Sequence, residues 1–311
     1  MTAGMKKKAL AMAVLTTALW SGSYIFNKLA FQQGIGPLTL SGLRYLLASL
    51  LLSVPDIGKK QADGQAPPFK AVILLGLLGY AAAQGLQYMG QSYLTPTQSS
   101  LFLAAGNTTC VLLVDRFWLR ENQGWRDLGG MLLMILGIIL YYFPFDGAGF
   151  SAAGTLFMVL SSVGYALNLT FNRSLLKSSR VAPRLLAARP MLFGSLVMLA
   201  FGLSLEGLPV ITGRLLLILL YLSAVSGALG FFLWTKSQAH LSAFESSSVN
   251  NLMLIETALL DLLVFGRHFS LVQAAAILTV FISVVWIQLK RRNPGAAKTE
   301  RAGRRRTDGL P

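Results

Sequence analysis

The sequence predicts an all-α integral membrane protein whose ten transmembrane helices form two inverted five-helix repeats around a central cavity. Three observations support this fold class. Of the 311 residues, 54% are apolar and 13% are charged, whereas the apolar share of soluble domains usually stops near about 45 to 50%. Ten apolar stretches have roughly the 20 residues that a bilayer core requires. In addition, the first half of the chain aligns with the second half at a nearly constant shift.

Turn and charge signals separate the ten stretches. Gly, Pro and polar residues mark the points at which a helix must stop, as in the segments 34–37, 55–68 and 144–149. The predicted spans are 9–30, 37–54, 69–90, 97–118, 125–143, 151–171, 185–204, 214–234, 243–265 and 270–289. Lys6, Lys7 and Lys8 before an apolar run are also typical of a secretory signal peptide. No small-x-small cleavage site follows them, so we expect the first span to be retained.

The basic residues predict the orientation. If the N-terminus is cytoplasmic, 23 of the 27 Lys and Arg residues fall on the cytoplasmic side, and only Arg214 and Arg267 fall in the opposite loops. The positive-inside rule then places both termini in the cytoplasm of a multi-pass protein of the cell membrane, which is the inner membrane in a bacterium. The net charge of +15 follows this topology, so we expect membrane lipid and no nucleic acid as a partner. The oligomeric state, monomer or homodimer, is left open.

An internal repeat divides the chain. Trp20 to Lys28 aligns with Tyr165 to Arg173 at a shift of 145, and the same shift carries Arg44 onto Arg189. We therefore predict a first five-helix repeat over residues 1–147, a second over 148–290, and a basic disordered cytoplasmic tail over 291–311. Because five is odd, the two halves enter the bilayer in opposite directions, as in carriers that expose one central site to each side in turn.

Three segments together resemble a known family. They are Leu19-Trp20-Ser-Gly-Ser-Tyr-Ile-Phe-Asn-Lys28-Leu-Ala in the first span, Leu43-Arg44-Tyr45-Leu46-Leu47-Ala48 in the second, and Leu119-Arg120-Glu121 after the fourth. Their order and spacing are similar to those of the EamA-type branch of the drug/metabolite transporter superfamily. The resemblance implies a ten-helix secondary transporter with a central cavity that moves small metabolites, often outward.

Polar residues within the spans indicate which helix faces look inward, because polar groups in hydrocarbon are costly unless they face protein or water. We expect a set of them to bind the substrate or a coupling ion. The alternative is that the smaller ones hydrogen-bond neighbouring helices. The candidates are Ser23, Asn27, Gln84, Gln87, Tyr88, Asn107, Asn168, Asn172, Trp234, Asn250 and Glu256.

Charged positions within the spans divide according to whether the repeat duplicates them. The duplicated pairs are Lys28 with Arg173, Arg44 with Arg189, and Asp115 with Asp261. Because both halves carry these charges, we interpret them as gate or scaffold residues. The alternative is direct contact with the substrate, in which Lys28 and Arg44 offer charge to a carboxylate.

Glu256 is not duplicated, since its counterpart is Cys110. Its position near the middle of the ninth span makes it a functional candidate by default. We predict that it binds an amino or other cationic group of the substrate, or carries a coupling proton. The alternative is a neutral carboxylic acid hydrogen-bonded between helices.

These patterns predict a secondary active transporter that works by alternating access, moves small polar metabolites and exports amino-acid-like solutes. Export of cationic drugs or other metabolites, a membrane enzyme such as a lipid-linked transferase, and a channel are the alternatives. One Cys and two His exclude an internal disulfide and are too few for the usual soft-ligand metal sites. No phosphate-binding loop of the Gly-x-x-x-x-Gly-Lys-Ser/Thr type occurs. We therefore expect no catalytic residue, metal or cofactor, and a proton is the candidate coupling ion.

Overall fold

The computed structural model describes residues 3–53, 65–117, 125–143, 150–178, 183–238, 241 and 249–291. These residues form ten helical segments. They are α1 (Ala3–Phe31), α2 (Pro37–Ser53), α3 (Phe69–Tyr93), α4 (Pro96–Phe117), α5 (Trp125–Tyr141), α6 (Ala152–Ser178), α7 (Pro183–Glu206), α8 (213–238), α9 (Leu252–Phe265) and α10 (Leu271–Arg291). The predicted tail beyond Arg291 lies outside the described residues.

Most helix bounds lie within a few residues of the predicted spans, and three differ more. Helix α1 begins at Ala3, six residues before the predicted start. Helix α6 continues to Ser178, seven residues past the predicted end, because the polar residues after Phe171 do not stop a helix that leaves the bilayer. Helix α9 is described from Leu252, after a turn in which Leu254 N donates to Asn251 O. Residues 242–248, where we predicted its first two turns, lie outside the described part of the chain.

Five of the helices are long and apolar enough to cross a membrane: α1, α3, α6, α7 and α8. Three shorter apolar helices lie within α2, α5 and α10. The all-helical, membrane-spanning class is therefore confirmed, while the count of ten spans stays a prediction.

Corresponding helices of the two halves pack antiparallel. In the α2–α7 pair, Gly42 lies against Leu199, and Thr39, closer to the start of α2, lies against Gly202, closer to the end of α7. In the α5–α10 pair, Gly130 lies against Ile287 and Gly137 against Val280. Antiparallel packing of equivalent helices is the geometry that an inverted repeat requires, which confirms the inversion predicted from the odd helix number.

Several further helix contacts are reciprocal between the halves. Helix α1 packs against α8 and α9, and its counterpart α6 packs against α3 and α4. Likewise, α2 packs against α8, as α7 packs against α3. Other contacts occur in one half only: α1 also contacts α3 and α4, while among the described residues α6 has no equally extensive contact with α8 or α9. The two halves therefore share a packing scheme but differ in how closely their helices approach.

Two apolar cores result from this packing. One is formed by α2, α3, α7 and α8, and its largest fully buried side chains include Leu40, Tyr88 and Leu222. The other is formed by α4, α5, α9 and α10, around Leu101, Met134 and Val280. Because α1 and α6 each contact both groups, these two helices join one core to the other.

A π-helical stretch interrupts α3 and α8 at equivalent positions. It covers Gly76–Gly85 in α3 and Tyr221–Leu229 in α8, and the two starts are related by the 145-residue shift of the repeat. Such stretches widen the helix, change the facing of the residues that follow, and are frequent at functional sites. The sequence analysis did not predict them.

Helices α3 and α7 approach each other closely at glycines. A Cβ on Gly194 would lie 2.4 Å from the Cβ of Tyr80 and 2.5 Å from the Gly76 carbonyl oxygen. We expect Gly194→Ala to lower the thermal unfolding midpoint of the purified protein in detergent, because overpacking typically costs about 1–3 kcal/mol. Gly129→Ala is the matched control, since no atom lies within 4 Å of its added Cβ. Equal midpoints for the two variants would show that the close approach does not constrain the fold.

Candidate functional site

We call the end of the bundle at which α1, α3, α5, α7 and α9 finish the distal end. Several contacts join chain segments there. The side chain of Glu206, the last residue of α7, accepts hydrogen bonds from Leu38 N and Thr39 N at 2.8 Å and from Thr39 Oγ1 at 2.7 Å. This carboxyl group thus caps the N-terminus of α2, whose free N–H groups favour a negative charge.

Asp261 makes the equivalent contact between α9 and α4. Its Oδ2 accepts hydrogen bonds from Thr97 N at 3.1 Å and Thr97 Oγ1 at 2.6 Å, and its side chain is fully buried. Its Oδ1 lies 3.4 Å from Nε of Arg267, an ion pair without hydrogen-bond geometry. Asp261 therefore caps the N-terminus of α4 in the same way that Glu206 caps the N-terminus of α2.

Lys28 contacts the turn that connects α3 to α4, on the side where α3 ends. Its Nζ donates to Leu94 O at 3.0 Å and to Ser92 O at 3.3 Å, which are carbonyl groups at the C-terminal end of α3. A cation there and the Asp261 carboxylate at the start of α4 both suit the helix dipoles that they meet. We call Lys28, Asp261 and the turn 94–96 the distal clamp.

Deeper in the bundle, aromatic side chains of α1 and α8 cluster around Trp20. Its ring centroid lies 5.2 Å from that of Trp234 and 5.7 Å from that of Phe231. The indole Nε1 donates to Ser226 O at 3.0 Å, within the π-helical stretch of α8. Trp234, which we predicted as a binding residue, thus lies beside Trp20, and both rings are half-buried.

Arg44 of α2 lies in a second cluster, between α3 and α8. Its guanidinium donates to the Tyr88 hydroxyl and, at 3.0 Å, to Ser226 Oγ. Beside it, the Tyr45 hydroxyl donates to Gln84 Oε1 at 2.6 Å. Of the predicted binding residues, Tyr88 therefore contacts Arg44, which we had interpreted first as a gate or scaffold charge, and Gln84 contacts the neighbouring Tyr45.

Glu256 faces α1. Its Oε1 accepts from Thr17 Oγ1 at 3.1 Å and its Oε2 from Ser21 Oγ at 2.9 Å, and the side chain is half-buried. It lies nine residues before the end of α9, about 14 Å at 1.5 Å per residue, which is about half the thickness of a bilayer core of about 30 Å. Neither neighbour carries a charge.

The symmetry-equivalent position on α4 carries Cys110, which is also half-buried. There α4 packs against α6, where a Cβ on Gly106 would lie 2.5 Å from Ser162 Oγ. The Glu256 carboxyl group thus has no counterpart in the first half, although α4 and α9 are equivalent helices of the repeat.

Other predicted residues have packing contacts. Asn27 is buried and donates to Gln91 Oε1 at 2.7 Å, and Ser23 Oγ donates to Trp20 O at 2.6 Å within α1. Asn168 donates to Leu75 O at 3.3 Å, where α3 becomes π-helical, and accepts from Asn172 at 2.8 Å. The contacts of Asn27 and Asn168 fit the interhelical alternative, whereas those of Ser23 and Asn172 stay within their own helices.

The remaining candidates are not brought into these clusters by the contacts described. Gln87, Asn107 and Asn250 are half-buried, and the Asn107 Oδ1 atom is buried without a hydrogen-bond partner. Arg189 is exposed, unlike its counterpart Arg44. The side chains of Asp115 and Arg173 lie outside the described part of the structure.

Sequence reasoning missed Ser226, Thr17 and Ser21. Thr17 and Ser21 are one helical turn apart on α1, so their pairing with a carboxyl group on a facing helix was a readable signal. Ser226 gave no such signal, because it lies in a π-helical stretch whose residues do not follow the usual helical spacing.

A sequence profile described as the EamA-like transporter family matches the chain twice, at residues 7–143 and 152–289. The chain belongs to the EamA-like transporter family. The two matches fall on α1 to α5 and on α6 to α10, and they confirm the resemblance inferred from the three segments above.

Named relatives of this EamA-like chain are also transporters. An uncharacterised transporter of Archaeoglobus fulgidus is 25% identical over 195 residues, which cover 63% of this chain and 67% of the relative. A second from the same organism is 28% identical over 137 residues, covering 44% and 46%. An S-adenosylmethionine/S-adenosylhomocysteine transporter of Chlamydia trachomatis is 24% identical over 134 residues, covering 43% and 40%. The chain thus spans about half the length of the curated relatives it matches.

The fold of this EamA-like protein also matches a solved crystal structure of a protein. The superposition has a TM-score of 0.64 at 16% identity and covers 93% of this chain and 99% of the other. At that identity the likeness shows the fold.

Proposed function

We propose that this EamA-like protein is a secondary active transporter that exports small polar, amino-acid-like solutes by alternating access. The observation that carries the proposal is the reciprocal packing of the two halves, in which equivalent helices lie antiparallel and α1 and α6 each join the two apolar cores. Exchanging the arrangements of two such halves opens a central site to one side and closes it to the other. No separate catalytic chemistry is required, so the protein is not an enzyme in this proposal.

The burial pattern along α4 supports a state of the alternating-access cycle in which the distal end is closed. Residues 96–103 are all buried at the distal end, whereas residues 106–111 further along α4 are all half-buried. With the N-terminus in the cytoplasm, the distal end faces outward, and both termini of this multi-pass protein are cytoplasmic. The bundle is then closed to the outside by the distal clamp. Residues 1–147 and 148–290 are the two exchanging repeats, followed by the basic tail 291–311.

The interior side chains support a polar cargo with an apolar part. Trp20, Trp234 and Phe231 offer aromatic surface, while Gln84 and Glu256 offer polar groups at half-buried positions. We propose that Glu256 binds a cationic group of the cargo or carries a coupling proton. The relative named for S-adenosylmethionine supports this class of cargo, since that compound carries an amino-acid group.

Counterflow in proteoliposomes tests the proposal. Vesicles with the purified protein are loaded with one unlabelled amino acid, or with S-adenosylmethionine, and diluted into a trace of the same labelled solute. We expect transient labelled accumulation above equilibrium for at least one loaded solute, because an alternating site returns inward only after binding. Vesicles without internal solute are the control. Passive equilibration without accumulation would indicate a channel, and no protein-dependent flux for the whole panel would contradict transport of this class.

A further inference from the structure

Arg44 is a buried charge near the middle of the bundle. It lies seven residues after Pro37, which is about 10 Å along α2 at 1.5 Å per residue, and only 5% of its surface is exposed. At that depth its side chain does not reach the membrane surface, since its contacts are with α2, α3 and α8. A cation in such a place is costly and needs compensation.

The partners of Arg44 are all neutral. One terminal nitrogen donates to the Tyr88 hydroxyl and the other to Ser226 Oγ. The guanidinium carbon lies 5.1 Å from the Tyr45 ring centroid and 5.9 Å from that of Tyr88, within cation–π range. Nε is buried and has no hydrogen-bond partner among the residues that the structure describes. Of five N–H donors, one is therefore buried and unsatisfied.

Three carboxyl groups belong to side chains that the structure describes, and none of them neutralises Arg44, because each is committed elsewhere. Glu206 caps α2, Asp261 caps α4 and pairs with Arg267, and Glu256 accepts from Thr17 and Ser21. A buried cation that lacks a counter-charge is strongly destabilising, so the position calls for an anion that the described residues do not supply.

The surroundings of Arg44 differ from those of its counterpart in the repeat. Arg189 occupies the equivalent position on α7 and is exposed, whereas Arg44 is buried. Helix α2 packs against both α3 and α8, while α7 packs against α3 and has no equally extensive contact with α8 among the described residues. Arg44 is therefore enclosed in the half of the repeat that is closed at the distal end.

We propose that Arg44, Tyr88 and Ser226 form an anion subsite that receives the carboxylate of the cargo. The subsite rests on the transport function proposed above and names its substrate class, solutes that carry a single carboxylate. One guanidinium with two hydroxyl donors matches a monoanion, and guanidinium binds carboxylates through paired N–H groups. A dianionic phosphate would need a second cation, which no described contact of this cluster supplies.

Helix α1 connects the anion subsite to Glu256. On α1, Trp20 donates to the Ser226 carbonyl beside the anion subsite, and the next residue, Ser21, donates to Glu256. The subsite at Arg44 holds the carboxylate of the cargo, with the aromatic rings of Trp20 and Trp234 on the same side of α1 as Ser226.

Ligand-dependent thermal stability tests the subsite with three matched probes: leucine, leucinamide, which lacks the carboxylate, and 4-methylpentanoate, which lacks the ammonium group. In detergent, we expect leucine and 4-methylpentanoate to raise the unfolding midpoint of the unmodified protein more than leucinamide does, since a ligand stabilises the state that binds it. Arg44→Gln should remove this difference, through an affinity loss of about tenfold or more. Arg189→Gln, the same change at the equivalent position, should keep it.

If Arg44→Gln does not fold, Arg44→Lys tests the anion subsite in its place. Lysine keeps the charge without the planar fork, so the carboxylate-dependent shift should shrink without vanishing. Equal stabilisation by leucine and leucinamide, no shift with either carboxylate, or a full shift in Arg44→Gln or Arg44→Lys would overturn the subsite. Counterflow that is unaffected by Arg44→Gln contradicts the subsite and leaves the transporter intact. A carboxylate-dependent shift without any counterflow contradicts the transporter and leaves the subsite intact.

Discussion

Proteoliposomes that contain Glu256→Gln are expected to lose solute uptake driven by an imposed pH gradient, with a rate about tenfold or more below that of the unmodified protein. The reason is the chemistry of the site. Glu256 lies about 14 Å before the end of α9, and among the described residues its two oxygens accept from the hydroxyls of Thr17 and Ser21. Glutamine keeps the size and an acceptor oxygen but cannot change its charge or pair with a cation.

The two proposed roles of Glu256 predict different residual activities. If the carboxyl group carries a coupling proton, Glu256→Gln loses the gradient-driven flux but keeps counterflow. If it binds the cationic group of the cargo, counterflow falls as well. Glu206→Gln is the matched control, because that carboxyl group caps α2 at the distal end and its loss should lower thermal stability while pH dependence remains. Uptake by Glu256→Gln that equals the unmodified rate across pH would exclude both roles.

Opening of the distal end is expected to follow Asp261→Asn. Asp261 is fully buried, caps α4 through Thr97 and faces Arg267. Asparagine lacks the charge that both partners favour. Loss of a charge-assisted buried hydrogen bond typically costs about 1–3 kcal/mol, so the population open at this end should rise about tenfold. Lys28→Gln should act in the same direction.

Cysteine labelling from outside the cell measures this opening. Cys110, the single cysteine of the chain, is first replaced by serine, and Ser100→Cys is introduced where α4 is buried, at 4% exposure. A membrane-impermeant thiol reagent should label position 100 about tenfold faster in Asp261→Asn, the same factor as the population shift. Tyr93→Cys, at the exposed distal surface (58%), is the control and should be labelled equally in both backgrounds. An unchanged rate at position 100 in a folded Asp261→Asn variant would show that the distal clamp is not a gate.

The helix positions and the inversion could be predicted because they depend on local and periodic properties. Apolar runs set the spans, and the Gly and Pro breaks set their limits within a few residues, as at α2 and α4. The 145-residue shift that carries Arg44 onto Arg189 revealed the repeat. The odd number of helices in each half then required the antiparallel pairing that α2 with α7 and α5 with α10 display.

The helical spacing of polar residues did not show which neighbouring helix each of them contacts. Gln84 and Gln91 share a helical stripe in the sequence, yet Gln84 accepts from Tyr45 on α2 and Gln91 accepts from Asn27 on α1. The π-helical stretch Gly76–Gly85 shifts the facing of part of this stripe. A regular helical period therefore could not assign the partners.

The sequence by itself determined that this chain crosses a membrane as a duplicated, inverted helical bundle, because hydropathy, charge bias and repetition are properties of residues read in order. Only the tertiary structure decided that Arg44 is buried among neutral groups while Arg189 is exposed, and that Glu256 meets Thr17 and Ser21. The physical reason is that the cost of a buried charge depends on which groups surround it. Those groups come from helices far apart in the chain, whose contacts no local pattern encodes.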